Sequence, residues 1–459
     1  MDILFLAALS VYALAGVVLA PFHGDEPMLL YASSDYITAF LDGSPQLLTT
    51  TPPYFIDSDA HLRILNGSVS RYSIGLVWHA SGYGRSDLPP APGWDWGRGY
   101  EDNLAGGRRP TEQHLVLARL PSIAYLAASF AAMFALAQAL GGRTLAYIAT
   151  ALYALHPAIL LNGRRVMQES MVLCFGLLAL YIAVHIVKHL STQKPQHRST
   201  DSSRITHYTL FILLALACGL TLASKHSGVV FVVGALGIVL TGYVFAAWQQ
   251  RERRTSLLLS GASLTGASGV LAIALFIALS PGLWNDPPAR LGDLLAVRAE
   301  LLDIQTVAAG GAMSNEQRIE KLFTQPFVAP LMYYETQVFA VAPIQAEITR
   351  YEASGLSGVH WGIGGLLLTL AAAGGIIASL IMTVRPFESS ALAVGMLMVL
   401  TVIVASLLAN PLPWQRYYLA LTTLACLYAA AGLVALFGYT SQAINGSAAP
   451  QSRSAAGSQ

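Results

Sequence analysis

Long apolar runs separated by short polar connectors occupy most of the chain. Crossing a bilayer as helix takes about 20 apolar residues. Runs of that order fall at 3–20, 116–139, 143–161, 169–187, 207–223, 228–248, 257–280, 358–383, 389–409 and 416–438. The pattern predicts an all-α polytopic membrane protein with ten transmembrane helices. Two stretches break the rhythm. Residues 21–115 are too long for a connector and too aromatic for disorder. Within them, apolar positions recur at Leu29, Ala32, Tyr36, Ile37, Phe40 and Leu41. That spacing predicts an amphipathic helix over 27–42, lying on the bilayer with Ser33, Ser34, Asp35 and Thr38 toward water. Residues 281–357 open on Pro281-Gly-Leu-Trp284 and carry helical patterns over 289–304 and 314–325. They are expected to cap the outer end of the bundle. From Ser441 the chain is rich in Ser, Ala, Gln and Gly, which predicts a disordered tail.

Composition agrees with this reading. Apolar residues make up 54% of the 459 and charged residues 11%, against about 25% charged in soluble domains. A net charge of +1 argues against a nucleic-acid partner. Cys174, Cys218 and Cys426 all lie inside apolar runs, so disulfides and thiolate metal sites are not expected. The first apolar run has neither a basic n-region nor a small-residue cleavage motif, and is read as an uncleaved span. Basic residues fix the orientation. With ten spans, Arg143, the group Lys188, Lys194, Arg198 and Arg204, the group Arg251, Arg253 and Arg254, and Arg385 all share one side. That side is expected to be cytoplasmic, with the loops 21–115 and 281–357 on the outer face.

The candidate chemistry gathers at the outer ends of the spans. Asp25 and Glu26, followed at once by Pro27, close the first span. Helix N-termini favour carboxylates for electrostatic reasons alone. A carboxylate at the outer surface is equally a suitable base for an acceptor hydroxyl, and Glu26 can orient Asp25 or raise its pKa. Three outer turns supply cations: Arg165 with Glu169, Lys225, and Arg416 followed by Tyr417. An i,i+4 ion pair explains Arg165 and Glu169 as well as a site does. Basic residues in short outer turns, however, run against the positive-inside bias, and an embedded lysine needs an anion. Together the turns predict a cradle for a lipid phosphate. His61, Arg63, Trp94, Glu101 and Asp102 in the first loop are candidates for a sugar or acceptor surface, in a composition that interfacial packing also produces. No His/Cys metal spacing occurs, although a carboxylate pair can hold a divalent cation beside a phosphate.

These residues carry a family resemblance. An acidic pair ending the first span, an Arg-x-x-x-Glu turn, a Lys turn between spans five and six, and an Arg-Tyr-Tyr opening a late span resemble the GT-C membrane glycosyltransferases. The likeness is to the protein O-mannosyltransferase and aminoarabinose transferase branch of phospholipid-carrier-dependent enzymes. The resemblance implies that Asp25 is the catalytic base with Glu26 beside it. It implies that Arg165 and Glu169 form the family's Arg/acid turn, and that Lys225 contacts phosphate. It also implies a conserved seven-span catalytic module with surface helices in the first outer loop, here 1–280 with loop 21–115, followed by a variable C-terminal part; the sequence pattern divides that part into a capping loop 281–357, spans within 358–438 and a disordered cytoplasmic tail 439–459. The mannosyltransferases' His-Pro-Pro motif has no counterpart, since His61 stands in Ala-His-Leu-Arg and Pro52-Pro53 comes earlier.

The sequence therefore points to an inverting glycosyltransferase of the extracytoplasmic face. It would move a sugar from a polyprenyl phosphate to a hydroxyl on a lipid, glycan or protein. Two rivals stand beside this reading. A flippase for lipid-linked sugars would show repeat halves and mid-membrane charges, and a non-catalytic subunit would tolerate loss of the acidic pair.

Overall fold

The computed structural model describes residues 1–192, 201–335 and 342–447. Among these, nine helices are long and apolar enough to cross a membrane. The longest of them, Glu112–Ala154, has 43 residues and is not one rod. At Gly141 and Gly142 the backbone leaves helical geometry, and Gly142 takes φ 82°, ψ −175°, a region open only to glycine. The chain doubles back there. Phe134 meets Tyr147 at 5.3 Å between ring centroids, and Phe130 meets Tyr153 at 5.9 Å. Ser129 Oγ lies 2.9 Å from the Tyr153 hydroxyl. Partners that draw closer in sequence toward the two glycines define an antiparallel hairpin. The element is thus two candidate spans, which brings the candidates in the described chain to ten.

The third span departs from its expected single run over 143–161. It stops at Leu155 and restarts as Pro157–Arg164. Pro157 has no N–H to donate to the preceding turn, and the His156 ring instead accepts from the backbone N–H of Ala158 at 3.2 Å. The described basic residues of the short connectors lie at one end of the bundle. There Asp2 pairs with Arg143 at 3.2 Å and Lys188 with Glu388 at 3.7 Å. Lys194 and Arg198 lie outside the described residues.

The other end carries the long loops. The helix Asp25–Ala32 leads to Ser34–Tyr36 and a π-turn over Ile37–Leu41. The expected water-facing side of this stretch is not seen. Ser33, Asp35 and Thr38 are buried, while Phe40 and Leu41 are exposed. The reason is electrostatic: Arg63 bonds Asp35 at 3.0 Å, and Arg71 pairs with the same carboxylate. In the second loop, Pro287–Ala308 forms a capping helix that starts at an Asp286 cap, with Asn315–Thr324 after it. Its Leu291, Leu294 and Val297 pack with Phe276 and Leu279 at the end of the seventh span. The last helix runs to Ser447. The rest of the tail expected to be disordered, 448–459, lies outside the described residues.

Candidate active site

The end of the bundle that carries the long loops encloses two adjoining cavities. The larger, about 370 Å³, is a chamber beneath the capping helix, with Asp25, Asp57, His61, Gln168 and Trp96 among its walls. The smaller, about 290 Å³, is a groove between membrane helices lined by Val172, Leu173, Phe231, Ile403 and Leu407. Glu169, Lys225, Arg298, Arg416 and Tyr417 line both. Three cations and a carboxylate thus form a waist between the chamber and the groove.

Asp25 opens its helix directly after the first span, and the turn His23-Gly24 aims it into the chamber. Its carboxylate pairs with Arg416. Arg416 also meets Glu335 Oε1 at 3.2 Å. The backbone N–H of Asp25 donates to His23 Nδ1 at 3.1 Å, and His23 Nε2 lies 2.7 Å from Glu335 Oε2. In these two contacts Nδ1 is the acceptor and Nε2 faces the carboxylate. Burial works against the charge of Glu335, but Arg416 and His23 outweigh it and hold its pKa well below the usual carboxylate range.

Glu26, expected beside Asp25 at the reaction, faces the opposite way and is fully buried. Arg119 Nε and Nη2 donate to its two oxygens at 2.7 and 2.8 Å. The backbone N–H groups of Val166 and His23 donate at 3.0 and 3.1 Å. Burial opposes its ionisation, yet Arg119 holds the pKa below the ordinary value. Glu26 is a fastener for the acidic turn. The two carboxylates diverge, so the pair cannot grip one divalent ion. Among the described residues no group of three or more His, Cys, Asp or Glu side chains could hold a metal.

The cations divide likewise. Lys225 Nζ lies 2.6 Å from Glu169 Oε1, so Glu169 pairs across helices rather than with Arg165. Arg165 is buried away from both cavities. It donates to the carbonyls of Pro21 at 2.9 Å and Tyr333 at 3.1 Å. Pairing a buried guanidinium with backbone carbonyls ties down the loop before Asp25, so the expected phosphate contact is replaced by a structural one. Arg298, which the sequence reading passed over, reaches the waist from the capping helix. Its Nη2 donates to the Tyr417 hydroxyl at 3.2 Å, and among the described residues it has no carboxylate partner.

The expected sugar surface is redrawn too. His61 lines the chamber, and burial, opposed by Glu300, lowers its pKa. Arg63 does not line it, being held by Asp35 and Asp59. Trp94 is buried against Phe22 at 5.1 Å, and Trp96 takes the wall position instead. Glu101 and Asp102 are exposed on the short helix Tyr100–Ala105, away from the chamber. Asp57, Asn66 and Gln168 complete the polar wall. Asp57 is a non-glycine residue at φ 61°, a strained conformation of the kind that gathers at functional sites. Burial, then the charge of Asp95, raises its pKa. His23, Glu335 and Arg298 lacked any motif or spacing that would have singled them out.

Comparison with known proteins narrows the reading. Residues 96–282 match the family model of dolichyl-phosphate-mannose-protein mannosyltransferases. No curated protein matches the chain in sequence. The fold is similar to that of the oligosaccharyltransferase AglB from Archaeoglobus fulgidus, solved in complex with an inhibitory peptide and a dolichol-phosphate. That likeness has a TM-score of 0.51 at 12% identity, over 97% of this chain and 52% of that one. The apo form of the same archaeal enzyme gives 0.51 at 12%, over 96% and 52%. ArnT from Cupriavidus metallidurans bound to undecaprenyl phosphate gives 0.39 at 15%, over 96% and 79%. The chain spans about half the length of the archaeal oligosaccharyltransferase.

Proposed function

For a membrane protein of GT-C fold that carries a segment of the dolichyl-phosphate-mannose-protein mannosyltransferase family, we propose an inverting glycosyl transfer from a polyprenyl-phosphate sugar to an acceptor hydroxyl. One observation carries this reading. A chamber-facing carboxylate shares a waist with three cations, and behind the waist lies an apolar groove between membrane helices.

The assignment follows from chemistry. The polyprenyl chain lies in the groove, its phosphate at the waist and its sugar in the chamber. Asp25 removes the proton from the acceptor hydroxyl, and the oxygen attacks the anomeric carbon from the face opposite the phosphate. The carbon–oxygen bond to phosphate breaks with its electron pair on the departing polyprenyl phosphate. That group is a stable anion, so no acid need protonate it, and one base with fixed cations suffices. Arg298 anchors the phosphate first, because Lys225 and Arg416 are already paired with carboxylates. The arriving phosphate competes with Asp25 for Arg416. His23 and Glu335 position Arg416, and Tyr417 positions Arg298. The unit that works therefore extends beyond 1–280, drawing one cation from the capping helix and another from the turn before the last span. The basic connectors at the far end of the bundle support placing this site on the extracytoplasmic face.

The test uses purified protein in phosphatidylglycerol vesicles, given a panel of decaprenyl-phosphate sugars and total membrane extract as acceptor. Transfer should yield free decaprenyl phosphate and an inverted glycoside in equal amounts. Asp25→Asn should lower both by roughly 10²–10⁴ while decaprenyl phosphate binds at least as tightly, since Arg416 is freed of one competitor. Near-normal turnover in that variant, or relocation of the donor without a new bond, would overturn the proposal.

A further inference from the structure

The chamber has a second apolar side that the donor does not use. Along the capping helix, Arg298, Leu301, Ile304, Gln305 and Ala308 face the chamber at the i, i+3, i+4 spacing of one helix face. Arg298 meets the waist, and beyond it Leu301, Ile304 and Ala308 form an apolar strip. Met28, Leu62 and Leu65 oppose that strip from the helices of the first loop. This second apolar compartment lies across the charged waist from the groove assigned to the polyprenyl chain.

The compartment opens outward. Ile56 and Ile304 line the chamber and yet are 57% and 41% exposed, so the mouth lies between them. Their neighbours Phe55 and Val307 are 70% and 79% exposed. Exposed apolar rims of this kind mark sites of contact with an apolar partner. The capping helix that carries Ile304 and Val307 is itself seated through Leu294 and Val297 on the end of the seventh span, which keeps this rim close to the membrane-spanning bundle.

On the reading above, the donor's tail fills the groove and its sugar sits beside Asp25. What remains is an apolar path from the exposed rim to Asp25. A polypeptide entering it would leave backbone N–H and C=O groups against Leu301, Ile304 and Ala308 without partners, at a cost of ~1–3 kcal/mol each. A lipid bearing a hydroxylated headgroup leaves none, since its chains meet the strip and rim while its hydroxyl reaches Asp25. We infer that the acceptor is a hydroxyl-bearing lipid that enters laterally between Ile56 and Ile304. This inference rests on the proposed glycosyl transfer and adds the acceptor class to it.

The experiment compares lipid extracts and tryptic glycopeptides by mass spectrometry from host cells carrying wild-type protein, Asp25→Asn, Ile304→Trp or Leu301→Arg. Membrane level and melting temperature are measured for each variant. A glycosylated lipid should be present with wild-type protein and absent with Asp25→Asn. Its yield should fall at least tenfold with Ile304→Trp and Leu301→Arg, and recover in Ile304→Val. Glycopeptides should be unchanged throughout. Loss of glycopeptides with Asp25→Asn while lipids stay constant would identify a polypeptide acceptor, overturning this inference and sparing the transferase. A lipid glycan that depends on Asp25 but survives both chamber variants at normal membrane level would also overturn it. No glycan change with Asp25→Asn would sink the transferase reading itself.

Discussion

Asp25 and Glu26 are neighbours in sequence with separate work, and neutralising each should fail in a different way. Glu26 receives four hydrogen bonds, two from Arg119 and one each from the backbones of Val166 and His23. Glu26→Gln keeps one acceptor oxygen and turns an NH2 group toward these donors. Breaking a buried ion pair costs ~3–5 kcal/mol, a large share of the ~5–15 kcal/mol that holds a typical protein together. Asp25→Asn removes only one of the two carboxylates on Arg416, which retains Glu335 at 3.2 Å. Because Arg416 keeps that second carboxylate, no buried charge is stranded and the cost is that of one hydrogen bond, ~1 kcal/mol. The transfer rate, in contrast, should drop by roughly 10²–10⁴, the usual contribution of a general base. Cys174, Cys218 and Cys426 are all buried and free, so a thiol-reactive dye reports unfolding of detergent-purified protein directly. Glu26→Gln should lower the melting temperature by on the order of 5 °C, while Asp25→Asn melts with the wild type. The pH dependence has a definite sign. The folded-state pKa of Glu26 is depressed below its ordinary 4.5. Its stabilisation is therefore complete above about pH 4.5 and lost as pH falls through the folded value. The gap between wild type and Glu26→Gln should close over that acidic window. Equal melting of wild type and Glu26→Gln at pH 7, or a comparable loss in Asp25→Asn, would refute this division of labour.

Three further outcomes are expected. Arg298→Gln should raise the donor KM by roughly ten- to hundredfold, from a lost charged hydrogen bond of ~1.5–3 kcal/mol, with kcat and melting temperature little changed. Lys225→Met strands the buried Glu169 carboxylate and should destabilise by ~3 kcal/mol; adding Glu169→Gln should restore melting but not transfer, which a double-mutant cycle in the thiol-dye assay and the vesicle assay resolves. Gly142→Ala should cost ~1–3 kcal/mol, because φ 82° with ψ −175° suits only glycine, and should lower both melting temperature and the yield of inserted protein.

Much of the architecture was legible because a bilayer imposes it. Apolar runs of span length have one use, and the ten expected crossings are matched by ten candidate spans, with Gly141-Gly142 marking a turn that hydrogen-bond continuity alone would miss. The gathering of Asp25, Glu169, Lys225, Arg416 and Tyr417 was legible for a related reason. Span parity puts their turns at one end, and charge there needs a partner. What failed was direction. Glu26 and Arg165 lie on the same turns as true chamber residues, but one position along a helix or tight turn points a side chain elsewhere. No periodicity resolves that. Asp35 read as water-facing and Arg63 as part of a sugar or acceptor surface because each was judged without its partner, 28 residues away. Arg298, Glu335 and Asp57 were missed because nothing local distinguishes them. Their roles come from a capping helix and loops whose placement depends on long-range packing.

The two-glycine reversal also constrains how this protein is made. With no connector between the second and third spans, there is no stretch of chain in which a translocating pore could hold one while it releases the other. The pair is expected to enter the lipid together as a closed hairpin, its facing aromatic rings matched, before the helices that follow it in the chain pack around it.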